Sequence, residues 1–268
     1  DEVKVELAAS DRVAFHRYTV PENVEKHVMI NLKDANGDDR PTDTYLEQVN
    51  DSVVRGYRYS SGWSKKQQIY FAAVFSQPVH LTLYHDSIAV PGHALQGVDV
   101  KGNVNVAESV KELSVKVGIS PVSMENAAAN IQYEIKDWNF ERVVDEATAK
   151  WNAELSKLLV ETSDTVAKRI FYTALYHAFM QPITFNDYNG EYRGTDKNVY
   201  GDPGFVNYTV FSLWDTYRAA HPLYTLVQPE RVPDFINSML AINEQQGRLP
   251  VWHLYSIMNV LIWLSKIQ

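Results

Sequence analysis

The first half of the chain alternates apolar and polar residues with a period of two. The alternation is clearest in three segments: Val3, Val5 and Leu7; Ile69, Phe71, Ala73 and Phe75; and Leu113, Val115 and Val117. Successive side chains of a strand point to opposite faces of a sheet, so this period predicts strands with one buried face. Turn-forming residues such as Pro21 and Pro91-Gly92 separate the segments. Eight to ten short strands between about residues 2 and 119 therefore predict an antiparallel β-sandwich.

The period changes after Pro121 to the 3.6 residues of an amphipathic helix. Ser163 is the predicted N-cap of one helix, and Pro182 is predicted to end it. Further helices are predicted at 122–133, 140–160, 208–220 and 233–246. A strand half followed by a helical half predicts an α+β chain with segregated elements. The predicted domains are a β-sandwich at 1–120, a helical linker at 121–161 and a helical domain at 162–268.

The two ends of the chain carry further expectations. The N-terminus opens directly in a strand pattern, so no signal peptide is predicted in this chain. The last segment, 254–268, is strongly apolar but shorter than the roughly 20 residues that span a bilayer. We expect a buried helix or strand there, and no membrane span.

Composition excludes several classes of function. Of 268 residues 45% are hydrophobic and 22% are charged, which is typical of a globular protein. A net charge of −8 without basic clusters argues against nucleic acid as a partner. Cysteine is absent, which excludes disulfides and thiolate metal sites and leaves the compartment open. No zinc-protease, nucleotide-binding or calcium-loop motif is complete, so no metal ligand is predicted in this chain.

The segment Phe211-Ser-Leu-Trp-Asp-Thr-Tyr-Arg-Ala-Ala-His-Pro-Leu223 carries the candidate chemistry. If it is helical, Trp214 and Arg218 share a face, and Asp215 and Arg218 can pair. An aromatic ring beside a charged pair suits a ligand with an apolar face and many hydroxyl groups, such as a sugar. A buried tryptophan beside a structural ion pair explains the same spacing, and the spacing alone leaves both interpretations open.

Two further features add candidate binding groups. A loop of roughly 27 residues between Gln181 and Asn207 is rich in Asn, Asp, Gly and Tyr, and loops of this length are usually functional. A surface loop built on the turn signal Asn189-Gly190 is the alternative. His253 follows Trp252 in an irregular segment, which can direct its imidazole at a ligand. His221 precedes Pro222 and is predicted to end its helix.

Four segments, in order, resemble the α-mannosidases of glycoside hydrolase family 92. They are the Phe211 segment, Asp11-Arg-Val-Ala-Phe-His-Arg-Tyr-Thr-Val-Pro21, Phe185-Asn-Asp-Tyr-Asn-Gly-Glu-Tyr-Arg-Gly194 and Gly247-Arg-Leu-Pro-Val-Trp252. The resemblance covers roughly residues 1 to 254 and breaks at about Tyr255. It implies an N-terminal β-sandwich followed by an (α/α)6 helical domain, of which this chain holds only a part.

The resemblance also implies a function. Such enzymes remove terminal α-linked mannose from glycans with inversion, assisted by calcium, and act outside the cytoplasm or at the cell surface of bacteria. Trp214 and Asp215 carry over as contacts of the terminal mannose, with Arg218 and His253 as further candidates for substrate binding. The general acid, the general base and the calcium ligands are expected outside this chain, in missing N- and C-terminal parts of a parent protein.

Two other functions remain open from the sequence. In the first, the sandwich is a non-catalytic carbohydrate-binding module in which Trp63, Tyr57 and Tyr59 form a stacking platform. Such aromatic residues are more often strand core or cross-strand pairs. Another (α/α)6 glycosidase or a glycoside phosphorylase would combine the same two folds. The linkage of the mannoside is not encoded in these motifs.

Overall fold

The computed structural model describes residues 3–21, 26–35 and 37–254. Within these ranges the chain divides into two compact units, and the division falls between Val144 and Asp145. The domain bounds predicted above stay a prediction. The apolar segment 255–268, predicted to be a buried helix or strand, lies outside the described residues.

The first unit is an antiparallel β-sandwich, as the period of two predicts. Its described residues form eleven strands, one more than the upper prediction: β1 (Lys4–Ala9), β2 (Val13–Thr19), β3 (His27–Asn31), β4 (Arg40–Asn50), β5 (Val53–Ser61), β6 (Gln67–Phe75), β7 (Val79–His85), β8 (Ile88–Val90), β9 (Ala94–Gly97), β10 (Val100–Val106) and β11 (Glu112–Ser120). Seven strands pair in the order β1-β2-β11-β6-β5-β4-β9, and four pair in the order β3-β10-β7-β8. Every ladder in these two sheets is antiparallel.

The core of the sandwich lies between the two sheets. Phe71, Ala73 and Phe75 alternate into it from β6, and Leu81 and Leu83 do so from β7. The same alternation turns the intervening residues of β6 to the other side of the sheet. Burial of apolar area at about 25 cal/mol per Å² is the main driving force for this packing.

Helix α1 (Met124–Glu134) covers part of the outer face of the seven-stranded sheet. It begins at Ser123, whose hydroxyl accepts a hydrogen bond from the amide N of Asn126 at 3.0 Å. Ala127 and Ile131 pack with Phe15 of β2 in a second apolar cluster. Ion pairing of Glu134 with Arg12 at 2.8 Å also joins this helix to the sheet.

The second unit contains most of the remaining helices. They are α2 (Phe140–Leu155), which crosses the division between the units, α3 (Thr165–Ala178), α4 (Leu213–Thr216), α5 (Ala220–Val227) and α6 (Val232–Gln246). The mixed architecture confirms the predicted α+β class. No helix among the described residues is long and apolar enough to cross a membrane.

Two details of these helices differ from the prediction. Asp164, not Ser163, caps α3, because its carboxylate accepts hydrogen bonds from the amides of Val166 and Ala167 at 2.9 and 3.0 Å. His221 lies in the first turn of α5, so it does not end a helix. Pro222 is tolerated there because the first amides of a helix have no intrahelical acceptor.

The predicted helix at 208–220 is wrong. Its first residues form β15 (Tyr208–Thr209) and β16 (Phe211–Ser212) instead, and helical structure begins only with α4. The two strands pair with β12 (Ile183–Thr184) and β17 (Trp252–His253). Pairing with chain segments that are distant in sequence has overridden the local helical pattern.

The loop predicted between Gln181 and Asn207 is partly ordered as strand. Besides β12 it contains β13 (Tyr192–Arg193) and β14 (Val199–Tyr200), which pair with each other. Apolar residues remain exposed elsewhere in this unit, including Val166 and Ile170 on α3 and Leu226 on α5. The helical half thus exposes apolar surface.

Gly118 provides a test of how α1 is seated. A Cβ atom at this position would lie 2.2 Å from the carbonyl O of Ala127 and 2.7 Å from a side-chain carbon of Ile131. Gly118→Ala should therefore lower the free energy of unfolding by about 2–4 kcal/mol, because helix and sheet must separate. The midpoint of urea denaturation measures the loss. Gly201→Ala, whose Cβ meets nothing within 4 Å, is the matched control, and equal midpoints for the two variants would refute this packing.

Candidate functional site

Two of the sequence motifs meet in a short antiparallel ribbon of the second unit. Phe211 of β16 pairs with His253 of β17, and Ser212 pairs with Trp252. The amide N of Leu213 extends the ribbon by donating to the carbonyl O of Val251 at 3.0 Å. The ribbon therefore brings the Phe211 segment beside the Gly247 segment, although they are distant in sequence.

The backbone at Val210 shapes the entry into this ribbon. Val210 has a φ of 64°, which is the left-handed region that a β-branched residue rarely adopts. Its neighbours Thr209 and Phe211 are both almost fully buried. Val210 is buried as well, within a run of five consecutive buried residues, 207–211, so the left-handed residue lies in the interior just before β16.

Two exposed indoles lie at this ribbon, Trp252 in β17 and Trp214 in α4, the helix that follows β16. The rings of Trp214 and Trp252 meet edge to face, with centroids 6.5 Å apart and planes at 78°. Their exposed fractions are 56% and 43%. Sequence reasoning named Trp214 and missed Trp252 as a site residue, although the Gly247 segment that contains it was one of the four resembling motifs. Exposed paired indoles are typical of ligand contacts rather than of a packed core.

Asp215 lies beside these indoles with an oriented carboxylate. The hydroxyl of Ser212 donates to Asp215 Oδ2 at 2.7 Å, and Ser212 is the strand partner of Trp252. The Asp215 side chain is exposed. A fixed, exposed carboxylate next to two indoles can accept hydrogen bonds from ligand hydroxyl groups.

Arg218 does not complete the pair that its spacing predicts. Among the described residues no ion pair joins Arg218 to Asp215. The guanidinium instead lies over the ring of Tyr217, 5.5 Å from its centroid, and Nε donates to the Tyr217 hydroxyl at 3.1 Å. Helix α4 ends at Thr216, so the helical spacing needed for that pair is absent.

His253 lies on the opposite side of β17 from Trp252. Its Nδ1 is 3.2 Å from the hydroxyl of Thr209, a residue that is 1% exposed. The imidazole borders a small cavity whose lining includes Tyr192, Arg193 and Gln245. Burial, with a smaller contribution from the charge of Lys197, lowers the pKa of His253 to about 4. A direct sugar contact by His253 stays a prediction, and the imidazole is a neutral, largely buried group.

The long loop is held in place around this cavity. Gln245 of α6 accepts from the amide N of Thr195 at 3.0 Å and donates to the hydroxyl of Tyr192 at 3.1 Å. Asn186 and Asp187 of this loop, two of its candidate polar groups, are buried. The loop therefore supports the ribbon and does not present these groups to solvent.

The alternative sugar platform on the sandwich has a different geometry. The rings of Tyr57 and Tyr59 stack on each other at 4.4 Å, and Tyr45 stacks on Tyr57 at 5.6 Å. The hydroxyl of Tyr57 donates to Asp43 Oδ2 at 2.9 Å. Tyr45 and Tyr57 are a cross-strand pair, and Tyr59 is the next residue on the same face of β5. Because both faces of the Tyr57 ring are covered by tyrosines, these residues form a packed row rather than an open stacking platform.

The described residues do not assemble a metal site. No group of three or more His, Asp or Glu side chains within 3–21, 26–35 and 37–254 could hold a metal ion.

Comparison with protein families gives two adjacent matches. The model of the glycosyl hydrolase family 92 N-terminal domain matches residues 1–120, and that of the family 92 catalytic domain matches residues 126–261. A comparison with curated proteins finds no match.

Solved structures of family 92 enzymes share the fold of this chain. The family GH92 alpha-mannosidase BT3965 from Bacteroides thetaiotaomicron is 34% identical, with a TM-score of 0.88 over 94% of this chain and 35% of that one. The GH92 family glycosyl hydrolase CcMan5 is 27% identical, with a TM-score of 0.82 over 90% and 32%. The inverting mannosidase BT2199 from Bacteroides thetaiotaomicron, at 24% identity and a TM-score of 0.83 over 93% and 34%, supports the fold alone. The chain thus spans about a third of the length of these structures.

Burial of His253 predicts a loss of stability in mild acid. Its pKa falls from 6.5 in the unfolded chain to about 4 in the folded one, so between these values the unfolded state binds more protons. The free energy of unfolding should therefore fall by up to about 3 kcal/mol as the pH drops from about 6.5 to 4. Urea denaturation at a series of pH values measures this slope. His253→Asn, which does not titrate, should reduce the slope, and an unchanged slope would contradict the assignment.

Proposed function

The chain belongs to glycosyl hydrolase family 92, and we propose that it is part of an α-mannosidase that removes terminal α-linked mannose from glycans with inversion. In this proposal the chain carries part of the mannose-binding subsite. Its substrates are mannose-containing glycans, and it acts outside the cytoplasm or at the surface of a bacterium. The similarity to BT3965, an alpha-mannosidase that has also been solved in complex with mannoimidazole, supports the choice of sugar.

The observation that carries the proposal is the cluster of Trp214, Trp252 and Asp215. A pyranose has apolar C–H faces, which pack well on indole rings, and hydroxyl groups, which donate to a carboxylate. The cluster offers both kinds of contact at one exposed place. Since the Ser212 hydroxyl already orients Asp215, little reorganisation is needed when a sugar binds.

Inverting hydrolysis needs two carboxyl groups on opposite sides of the sugar. One protonates the leaving oxygen and the other activates a water molecule. The proposal assigns neither role to this chain. Trp214 and Trp252 would hold the ring of the terminal mannose, and Asp215 would fix its orientation by accepting from its hydroxyl groups, which limits the poses in which the glycosidic bond can be attacked.

We propose a calcium ion for the longer parent protein, with ligands that lie outside this chain. The ion prefers six to eight oxygen ligands, often from several carboxylates, and the described residues contain no group of acidic side chains that could hold it. The residues that the structure describes therefore do not fit the ion, and sugar binding by Trp214, Trp252 and Asp215 does not depend on it.

The competing functions are less well supported. A carbohydrate-binding module on the sandwich would need Trp63, Tyr57 and Tyr59 to form one open platform. Trp63 is exposed, but the rings of Tyr57 and Tyr59 stack on each other. Another (α/α)6 glycosidase or a glycoside phosphorylase is not favoured, because the family models that match both parts of the chain describe family 92 domains.

Titration calorimetry with methyl α-mannoside tests the subsite on the intact chain. Trp252→Ala and Asp215→Ala should each weaken binding by roughly tenfold, about 1.4 kcal/mol, because each removes one kind of sugar contact. Trp63→Ala removes an indole that is 73% exposed in the sandwich and is the matched control. Unchanged affinity in both site variants, or an equal loss in the control, would show that the sugar binds elsewhere. Chelator should leave the affinity unchanged.

An activity assay tests whether this chain binds the sugar without catalysing its hydrolysis. The chain by itself should not hydrolyse 4-nitrophenyl α-mannoside, because the proposal places the general acid and base on other residues. Release of nitrophenol measures the reaction. Hydrolysis that is abolished by chelator would contradict this division, while it would support the mannosidase function.

A further inference from the structure

Trp252 occupies a place in the fold where its indole needs support. It belongs to β17, a strand of two residues, and β16, the strand with which it pairs, is equally short. The indole is 43% exposed. Few backbone hydrogen bonds hold such a ribbon, so side-chain contacts of the neighbouring residue contribute to the orientation of Trp252.

His253 provides that anchor on the buried side of β17. Successive side chains of a strand point in opposite directions, so the imidazole faces inward where the indole faces outward. Its Nδ1 lies 3.2 Å from the hydroxyl of Thr209, and Thr209 is only 1% exposed. Thr209 belongs to β15, which pairs with β12. The hydrogen bond therefore connects β17 to a second two-stranded ribbon.

The surroundings keep this anchor neutral. Arg193, Tyr192, Tyr208 and Gln245 line the cavity beside the imidazole, and Lys197 adds a further positive charge nearby. Neither cation favours a protonated imidazole, and the cavity, at about 10 Å³, has room for no more than about one water molecule. A neutral imidazole can keep its hydrogen bond with Thr209 in a fixed orientation.

We propose that Thr209 and His253 are positioning residues whose hydrogen bond holds Trp252 edge to face against Trp214. The importance of this for sugar binding rests on the proposed function, whereas the arrangement of the two indoles does not. In this role His253 acts through Trp252.

The geometry at Nδ1 allows a selective test. The amide of Asn places a nitrogen or oxygen where Nδ1 of His lies, whereas that of Gln places it where Nε2 lies. His253→Asn should therefore keep the bond to Thr209, and His253→Gln should lose it. Thr209→Ser keeps the hydroxyl and Thr209→Val replaces it with a methyl group of similar size, so this second pair tests the same bond from the other side.

The readout is the coupled circular dichroism band of the indole pair. Two indoles at this separation couple their electronic transitions and give a band with a positive and a negative lobe, and Trp214→Phe identifies that band by abolishing it. The band should persist in His253→Asn and Thr209→Ser and fall by at least half in His253→Gln and Thr209→Val, roughly as expected for a displaced ring. Urea midpoints show that each variant is folded. A band that stays intact in both disruptive variants overturns the proposal.

Affinity for methyl α-mannoside separates this inference from the proposed function. We expect binding to weaken roughly tenfold in His253→Gln and Thr209→Val and to change little in the two conservative variants. If the wild-type chain binds no sugar while the band behaves as expected, the proposed function fails and the positioning role stands. Equal affinity and an equal band in all four variants would overturn the positioning role alone.

Discussion

The register between β16 and β17 is the constraint on which the candidate site depends. Phe211 opposes His253, and Ser212 opposes Trp252. Because the side-chain period of a strand is two, a slip by one residue would turn the imidazole outward and bury the indole. The buried contacts of Phe211 and His253 therefore determine which side of the ribbon carries the exposed indole. Packing in the interior thus selects the chemistry of the surface.

Much of the sandwich could be predicted from the sequence, because its strands are long and each has one buried face. Phe71, Ala73 and Phe75 alternate into the core as their spacing indicates. The helices α2 and α6 likewise follow amphipathic patterns that a single segment carries. The helix predicted at 208–220 was wrong because the structure there depends on pairing with Ile183–Thr184 and Trp252–His253. No local sequence pattern reveals these partners. The left-handed conformation of Val210 could not be predicted either, because valine rarely adopts it.

The candidate site was predictable in its residue types but not in its geometry. The resemblance of whole segments directed attention to Trp214 and Asp215, and helical spacing then suggested an ion pair with Arg218. That pair depends on a helix that ends at Thr216, so the guanidinium lies over Tyr217 instead. Trp252 and Thr209 could be recognised only once the pairing of β16 with β17 and the fold of the long loop were known. Long-range contacts of this kind are what a one-dimensional pattern cannot specify.

The separation of Arg218 from Asp215 also bears on what the site can bind. A carboxylate neutralised by a guanidinium would tolerate an anionic group nearby, whereas an unneutralised carboxylate repels one. Among the described residues the side-chain partner of the Asp215 carboxylate is the Ser212 hydroxyl, and the chain as a whole carries a net charge of −8. Electrostatics therefore disfavour phosphates and other anions at the indole pair. A neutral ligand that presents hydroxyl groups to the carboxylate and C–H faces to the indoles satisfies both constraints.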